Sequence, residues 1–242
     1  MGVAFLSVVI PAYNEEAAIA HAVETVHEYL ASLDVRHEIV VVDDGSTDGT
    51  AALATALARR LPVRLLAGPH RGKGAAVKLG VLEARGDAVL FMDADLSTPI
   101  TEWPKFEPWL REGYDVVIGS RKMPGADVRV HQPALREALG RGFTWLSNVI
   151  LGSSVSDITC GFKCFASAAA RRVFALQRLD GWGFDAENLF VAKRLGLRIK
   201  EVPVVWTHDG ATKVRLGRDV LRSFLELCAI RLGSWRGHYP AR

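Results

Sequence analysis

Phe5-Leu6-Ser7-Val8-Val9-Ile10, stopped by Pro11 and followed by Ala12-Tyr13-Asn14, is an almost unbroken apolar run, and Glu38-Ile39-Val40-Val41-Val42 repeats it before Asp43-Asp44. Runs without polar alternation belong to strands covered on both faces, the usual condition of a parallel sheet. Between them, Ala18, Ile19, Ala22, Val23, Val26 and Leu30 fall near helical spacing over 15–30. The result is a strand, helix, strand unit of ordinary crossover length. Outward from this unit the pattern predicts a helix over 50–60, a strand over 63–66, a helix over 74–84 and strands over 88–92 and 116–118. The fold class is therefore α/β with a mostly parallel sheet. Three strands run out into polar residues, at Asn14, at Asp43 with Asp44, and at Asp93 with Asp95. Ligands of open α/β sheets bind at that carboxyl edge.

Past Arg121 the alternation weakens. Helices are expected over 131–151 and 166–176, a strand or loop over 157–165, and a strand over 198–205. No linker rich in Pro, Ser or Gly divides the chain, so residues 1–242 read as one domain. With 242 residues, 49% of them apolar, it can bury a substantial core. Lys and Arg number 30 against 27 Asp and Glu, a net +3, which is too mild for a nucleic-acid binder. Cys160, Cys164 and Cys228 form neither a disulfide framework nor a metal-ligand set, so a reducing, cytoplasmic setting is expected. Arg222, Glu226 and Arg231 interrupt the best apolar stretch. It falls short of the roughly 18 residues of a membrane span, and the expectation is a protein that touches a membrane without crossing it.

The chemistry concentrates in short acidic and basic stations. Asp93-Ala94-Asp95 ends the strand Val89-Leu90-Phe91-Met92. In an extended chain residues two apart face the same way, so both carboxylates could hold one Mg²⁺ or Mn²⁺ that also binds a diphosphate. Acidic residues also form plain turns. Asp43-Asp44-Gly45-Ser46-Thr47-Asp48-Gly49 ends another strand; Ser46 or Thr47 is expected to cap the next helix, and Asp44 to accept from a ribose or base. Together, two acidic clusters on one edge suit the nucleoside and metal-diphosphate ends of a nucleotide donor better than two unrelated turns do.

Gly72-Lys73-Gly74 lacks the spacing and the Ser or Thr of a phosphate loop, yet it lets backbone approach a nucleotide at a helix start, with Lys73 as a nearby charge. A dinucleotide fingerprint is also missing after the first strand. Gly119-Ser120-Arg121-Lys122 offers two cations beside the acidic pair, either a phosphate site or a solvated turn. Asp185-Ala186-Glu187 reads as a helix opening in which either carboxylate could cap or act on an acceptor. Cys160 and Cys164 read as structural thiols. His208, Asp209, Gly210 and Lys213 form a polar stretch that could cover a diphosphate. Arg222, Phe224, Leu225, Ile230, Arg231 and Trp235 interleave charge with apolar bulk, as a helix at a lipid interface would. Trp145 and Ile150 with Arg136 and Arg141 invite the same reading.

These residues carry a resemblance. Val9-Ile10-Pro11-Ala12-Tyr13-Asn14-Glu15-Glu16, Val42 to Asp48, Asp93-Ala94-Asp95-Leu96-Ser97-Thr98-Pro99, Gly119-Ser120-Arg121 and Cys160-Gly161-Phe162-Lys163 resemble the inverting family-2 glycosyltransferases, on the dolichyl-phosphate β-glucosyltransferase and polyprenyl-phosphate branch. The resemblance implies a single GT-A domain with a Rossmann-like central sheet, a nucleotide-sugar half of about 1–120 and an acceptor half of about 121–235. It implies that Pro11, Ala12, Tyr13, Glu15 and Asp44 surround the nucleoside, with Lys73, Asp93, Ala94 and Asp95 at the diphosphate. Asp95 would bind the metal directly and Asp93 would contact ribose or the metal's shell. Arg121 and Lys163 would face a polyprenyl monophosphate. Three positions depart from the family pattern: His70 for an Asn, Ile158-Thr159 for Thr-Gln, and Ala211-Thr212 for Gly-Ser before Lys213. The expected reaction moves glucose from UDP-glucose, with GDP-mannose as the alternative donor. A hydroxyl acceptor would instead need Asp185 or Glu187 as base. A nucleotidyltransferase or a non-catalytic nucleotide-sugar binder are the readings from other classes.

Overall fold

The computed structural model describes residues 3–130, 134–207 and 216–240, with backbone only over 134–137 and 216–221. The central sheet has seven strands, β1 Leu6–Ala12, β2 His37–Asp43, β3 Val63–Ala67, β4 Ala88–Met92, β5 Val116–Ser120, β7 Phe162–Ala166 and β8 Ile199–Pro203, in the order β3-β2-β1-β4-β7-β5-β8. Every pairing is parallel except those of β7, which runs antiparallel to both β4 and β5. A separate parallel pair joins β6 Asp127–Val130 to β9 Val205–Thr207. The strand expected over 198–205 is thus two strands in two sheets. Pro203 ends β8, and the amide of Val204 then bonds to the Ser120 carbonyl while its own carbonyl accepts from Asp127, which carries the chain across to β9.

Alternation along β1 and β2 divides the core. Val8, Ile10, Ile39 and Val41 face one layer with Trp103 and Phe106, whereas Val9, Val40 and Val42 face another with Phe174, Phe184 and Leu227. Each inner strand therefore has no polar face to display. The first layer contains α1 Ile19–Ser32 and α2 Thr50–Leu57. The second contains α3 Lys73–Glu83, α6 Ser167–Leu176 and α7 Phe184–Arg194, with α5 Ala134–Leu151 and α8 Leu216–Trp235 packed together beside them. A single turn of helix, α4 Glu107–Arg111, leads into β5.

α1 begins at Ile19, four residues after the expected start. Asn14 adopts a left-handed φ of 52°. The amides of Asn14, Glu15 and Glu16 are taken by Ser46 Oγ, Thr50 Oγ1 and Asp48 Oδ2. Those bonds tie the end of β1 to the loop after β2 before a helix can start. The bond to Asn14 takes Ser46 Oγ from the expected capping role, and Thr47 Oγ1 instead donates to Asn14 Oδ1 at 3.4 Å. Asp48 Oδ1 instead accepts from the Thr50 amide at 3.0 Å, at the start of α2.

Candidate active site

β1, β2 and β4 run parallel, so Tyr13, Asp44 and the Asp93-Ala94-Asp95 stretch emerge on one carboxyl edge. Ala12 pairs with Asp43 in register, and its carbonyl accepts from the Asp44 amide at 2.9 Å. Asp44 is buried, and its carboxylate is heavily engaged: Oδ1 accepts from the Arg71 amide at 2.8 Å, while Oδ2 accepts from the Gly72 amide at 2.9 Å and from His70 Nδ1 at 2.8 Å. The carboxylate expected to meet a ribose or base is thus already bonded within the protein. It first organises the loop that leads into α3. The His70 ring stacks on Tyr13 with centroids 4.0 Å apart.

Glycine is demanded twice in that loop's surroundings. Gly45 has a φ of +74°, and a Cβ there would lie 2.7 Å from the His70 nitrogen. Gly72, at +123°, would place one 2.6 Å from the Asp180 carbonyl oxygen. Both residues occupy backbone conformations that a side chain strains, and both meet backbone that cannot give way. Lys73 then opens α3 and forms an ion pair with Asp93. Burial acts to lower the Lys73 pKa, but Asp93, Asp185 and Asp95 outweigh it and the lysine is held above its ordinary value. Asp95 is raised, first by desolvation and then by the negative charge of Asp93. The two carboxylates therefore feel one another. Ala94 between them is buried, and Asp95 Oδ1 accepts from the Ser97 amide at 2.9 Å. Gly161 packs directly on Asp93, where any Cβ would collide with Oδ2.

Asp93 and Asp95 supply hard oxygen donors of the type that Mg²⁺ and Mn²⁺ prefer. Among the described residues no group of three or more His, Cys, Asp or Glu is placed to hold a metal. Asp93 and Asp95 would therefore supply two carboxylates to such a cation and leave its other ligands to come from outside the protein side chains described. His208, Asp209, Gly210 and Lys213 lie outside the described residues.

On the acceptor side the structure revises several expectations. Lys163 does not face an acceptor phosphate: it is 1% exposed, and its ammonium donates to the Cys160 carbonyl at 2.6 Å and to Asp185 Oδ1. Its strand, β7, sits between β4 and β5, which aims the side chain into the protein. Asp185 in the first turn of α7 is also buried; desolvation raises its pKa despite the opposing charges of Lys163 and Lys73. Glu187 is fully buried and accepts from the Arg178 and Leu179 amides at 2.9 and 2.8 Å and from the Tyr239 hydroxyl at 2.6 Å. That carboxylate is spent on holding the chain, not on an acceptor. Asp185 joins Lys73, Asp93 and Asp95 electrostatically, and Glu187 does not.

Arg121 follows β5 and is gripped by Asp157, whose two oxygens accept from Nε at 2.7 Å and Nη2 at 2.8 Å. Asp157 was not singled out by the sequence. Its carboxyl is held below the usual range: burial opposes this, but the Arg121 guanidinium prevails. Glu201 on β8 fixes the same loop by accepting from the Ser156 amide and hydroxyl at 2.8 and 2.6 Å. Trp206 lies under the guanidinium at 5.3 Å. Lys122 reaches the Gly140 carbonyl and Thr144 on α5 at 3.2 and 2.8 Å, which ties the basic turn to that helix. Cys160 and Cys164 are free and buried, and burial raises both thiols, consistent with structural roles.

Comparison with known proteins finds relatives over most of the chain. A dolichyl-phosphate beta-glucosyltransferase of Dictyostelium discoideum is 33% identical over 90% of this chain and 73% of its own length. That of Saccharomyces cerevisiae is 33% identical over 97% and 76%. Among solved structures, glucosyl-3-phosphoglycerate synthase from Mycobacterium tuberculosis, in complex with Mn²⁺, UDP-glucose and phosphoglyceric acid, superposes with a TM-score of 0.72 at 25% identity, covering 94% of this chain and 79% of that one. The family model of glycosyl transferase family 2 matches residues 7–175, from inside β1 to the last turn of α6. An acidic pair at the end of β4, a second acidic station at the end of β2, and a family match that takes in both place the chain in glycosyl transferase family 2.

Proposed function

We propose that this enzyme transfers glucose from UDP-glucose to a dolichyl-type polyprenyl monophosphate, inverting the anomeric centre in one displacement. The observation that carries the reading is the mutually repelling pair Asp93 and Asp95 beside Lys73, on the edge that also bears Tyr13 and Asp44. The relatives' activity supplies the sugar and the acceptor. Tyr13 and Asp44 would orient the nucleoside, with Pro11, Ala12 and Glu15 lining its approach. Asp95 and Asp93 would hold a Mg²⁺ or Mn²⁺, which when bound neutralises charge on the departing diphosphate. Lys73 is placed to add a positive charge to the same group.

A lipid monophosphate, with a second pKa of roughly 6, is already an anion near neutral pH and needs positioning more than a base. Arg121, oriented by Asp157, is the residue for that task. Lys163 holds Asp185 in place and has no contact with the acceptor in this reading. One observation favours a second reading. Asp185 carries a raised carboxyl beside Lys73, the property of a base for a hydroxyl acceptor.

Surface helices would bring the enzyme to its lipid. Trp145 is 67% exposed and Trp235 70%, on α5 and α8 respectively, with Val149, Leu225 and Leu232 also exposed and Arg222, Arg231 and Arg236 among them. Apolar bulk interleaved with arginine fits the anionic inner face of a cell membrane, reached from the cytoplasm. Among the described residues no helix is long and apolar enough to cross a membrane. α8 also reaches the site: Glu226 accepts from the Gly183 amide at 2.7 Å, at the start of the helix that carries Asp185.

The test is UDP release from UDP-glucose with Mn²⁺, with and without a short polyprenyl phosphate. Release that depends on the lipid phosphate is the expected result. Release that is indifferent to it, but lost in Asp185→Asn, would replace the phosphate acceptor with a hydroxyl one.

A further inference from the structure

His70 makes two contacts that a flat heterocycle would make. Its ring lies on Tyr13 at a 4.0 Å centroid separation and an interplanar angle of 17°, so no second ring fits between them. Its Nδ1 lies 2.8 Å from Asp44 Oδ2 and 3.1 Å from the Asp44 carbonyl. Both partners are acceptors, so Nδ1 carries the proton and donates. A pyrimidine with an imide N–H offers that same pair of features, a π-face for the tyrosine and a donor for the carboxylate. The imidazole thus occupies the face and the lone pair that a base would use.

The side chain is free to leave while its backbone stays. The His70 side chain is 54% exposed. The Arg71 and Gly72 amides bond to Asp44 independently of the imidazole, and a Cβ at Gly45 would collide with the His70 nitrogen, which places that backbone close against Gly45. Rotation of one side chain towards solvent would lift the imidazole off Tyr13 and release its contact with Asp44 Oδ2 without moving the loop.

We propose that His70 is an internal stand-in for the nucleobase, sitting on Tyr13 and Asp44 until the donor's base displaces it. This rests on the reading of Tyr13 and Asp44 as the nucleoside station. A competing side chain lowers apparent affinity by the fraction of molecules in which it has turned out. His70→Ala should therefore tighten UDP binding about three- to tenfold by calorimetry in Mn²⁺. Pyrophosphate, which lacks a base, should bind both forms equally. His70→Phe, which stacks but cannot donate, should fall between wild type and His70→Ala. Weaker or unchanged UDP binding by His70→Ala overturns the proposal and makes the imidazole a wall of the site or a bystander. Tyr13→Ala is the separate control: if it leaves UDP affinity unchanged while pyrophosphate still binds, the nucleoside station itself is misplaced, whatever His70 does.

Discussion

Two ion pairs flank the site and are built to opposite ends. Asp157 is fully buried and holds Arg121 by two side-chain bonds and a third from the Arg121 amide at 3.0 Å. Lys73 and Asp93 keep 20% and 33% of their side chains exposed and meet through one ammonium and one oxygen. Arg121 is as exposed as Lys73, 19% against 20%, so the difference lies in the carboxylate and the fork: Asp157 is fully enclosed, and losing the guanidinium that fixes its direction would strand its charge. An open single contact can be exchanged for another ion at little cost. On the proposed assignment, the acceptor side would be organised in advance and the donor side left able to trade partners with a cation and a diphosphate.

The contrast can be broken most severely at Asp93 and Asp95, the proposed metal pair. Asp95→Asn should lower turnover about a thousandfold with an unchanged thermal midpoint, since it removes charge stabilisation without disturbing a packed group. Steady-state kinetics beside a melting curve checks both halves. Asp157→Ala should instead cost about 3 kcal/mol of stability in urea, because Arg121 loses the partner that offsets its own burial. If that variant keeps its stability, the sealed pair is not sealed. Glu187→Gln belongs with the sealed class: about 2 kcal/mol of stability is lost as two amides and a hydroxyl lose a charged acceptor, while turnover per folded molecule stays unchanged. Lost turnover at full stability would return Glu187 to the chemistry.

Lys73→Met sharpens the open side. It should weaken UDP binding about tenfold and leave the melting midpoint near that of the wild type, measured by calorimetry and thermal unfolding. The smallest effect lies far from the site, where His37 accepts from His27 at 3.0 Å through Nε2 and donates to the Val35 carbonyl at 2.7 Å through Nδ1. Burial, and secondarily His27, hold it below its ordinary value of 6.5 against the Val35 bond. The fold therefore keeps His37 neutral. Its contribution is intact above 6.5 and is lost as pH falls towards the depressed value, because the unfolded chain takes up the proton first. His37→Gln should flatten that acid limb of a stability profile.

What could be read before folding follows from local rules. β1, β2 and β4 show themselves as apolar runs because both of their faces are covered, and Asp44, Asp93 and Asp95 stand where such runs end. Asp157 was passed over because a lone aspartate in a short loop looks like any turn former. The inward burial of Lys163 is not legible, because sequence spacing does not reveal which strand β7 will lie beside. The distant Tyr239 that claims Glu187 gives no local sign either.

The sequence by itself determined the strand and helix alternation, the polar edge and the family, since burial periodicity and strand-end chemistry are written in neighbouring residues. Tertiary structure alone decided which charges are sealed and which are exchangeable. The antiparallel insertion of β7 buries Lys163 against Asp185, and the loop before α3 lays His70 on Tyr13. Those pairings join residues 22 and more positions apart, and only the path of the backbone sets the distance and solvent access on which their energies depend.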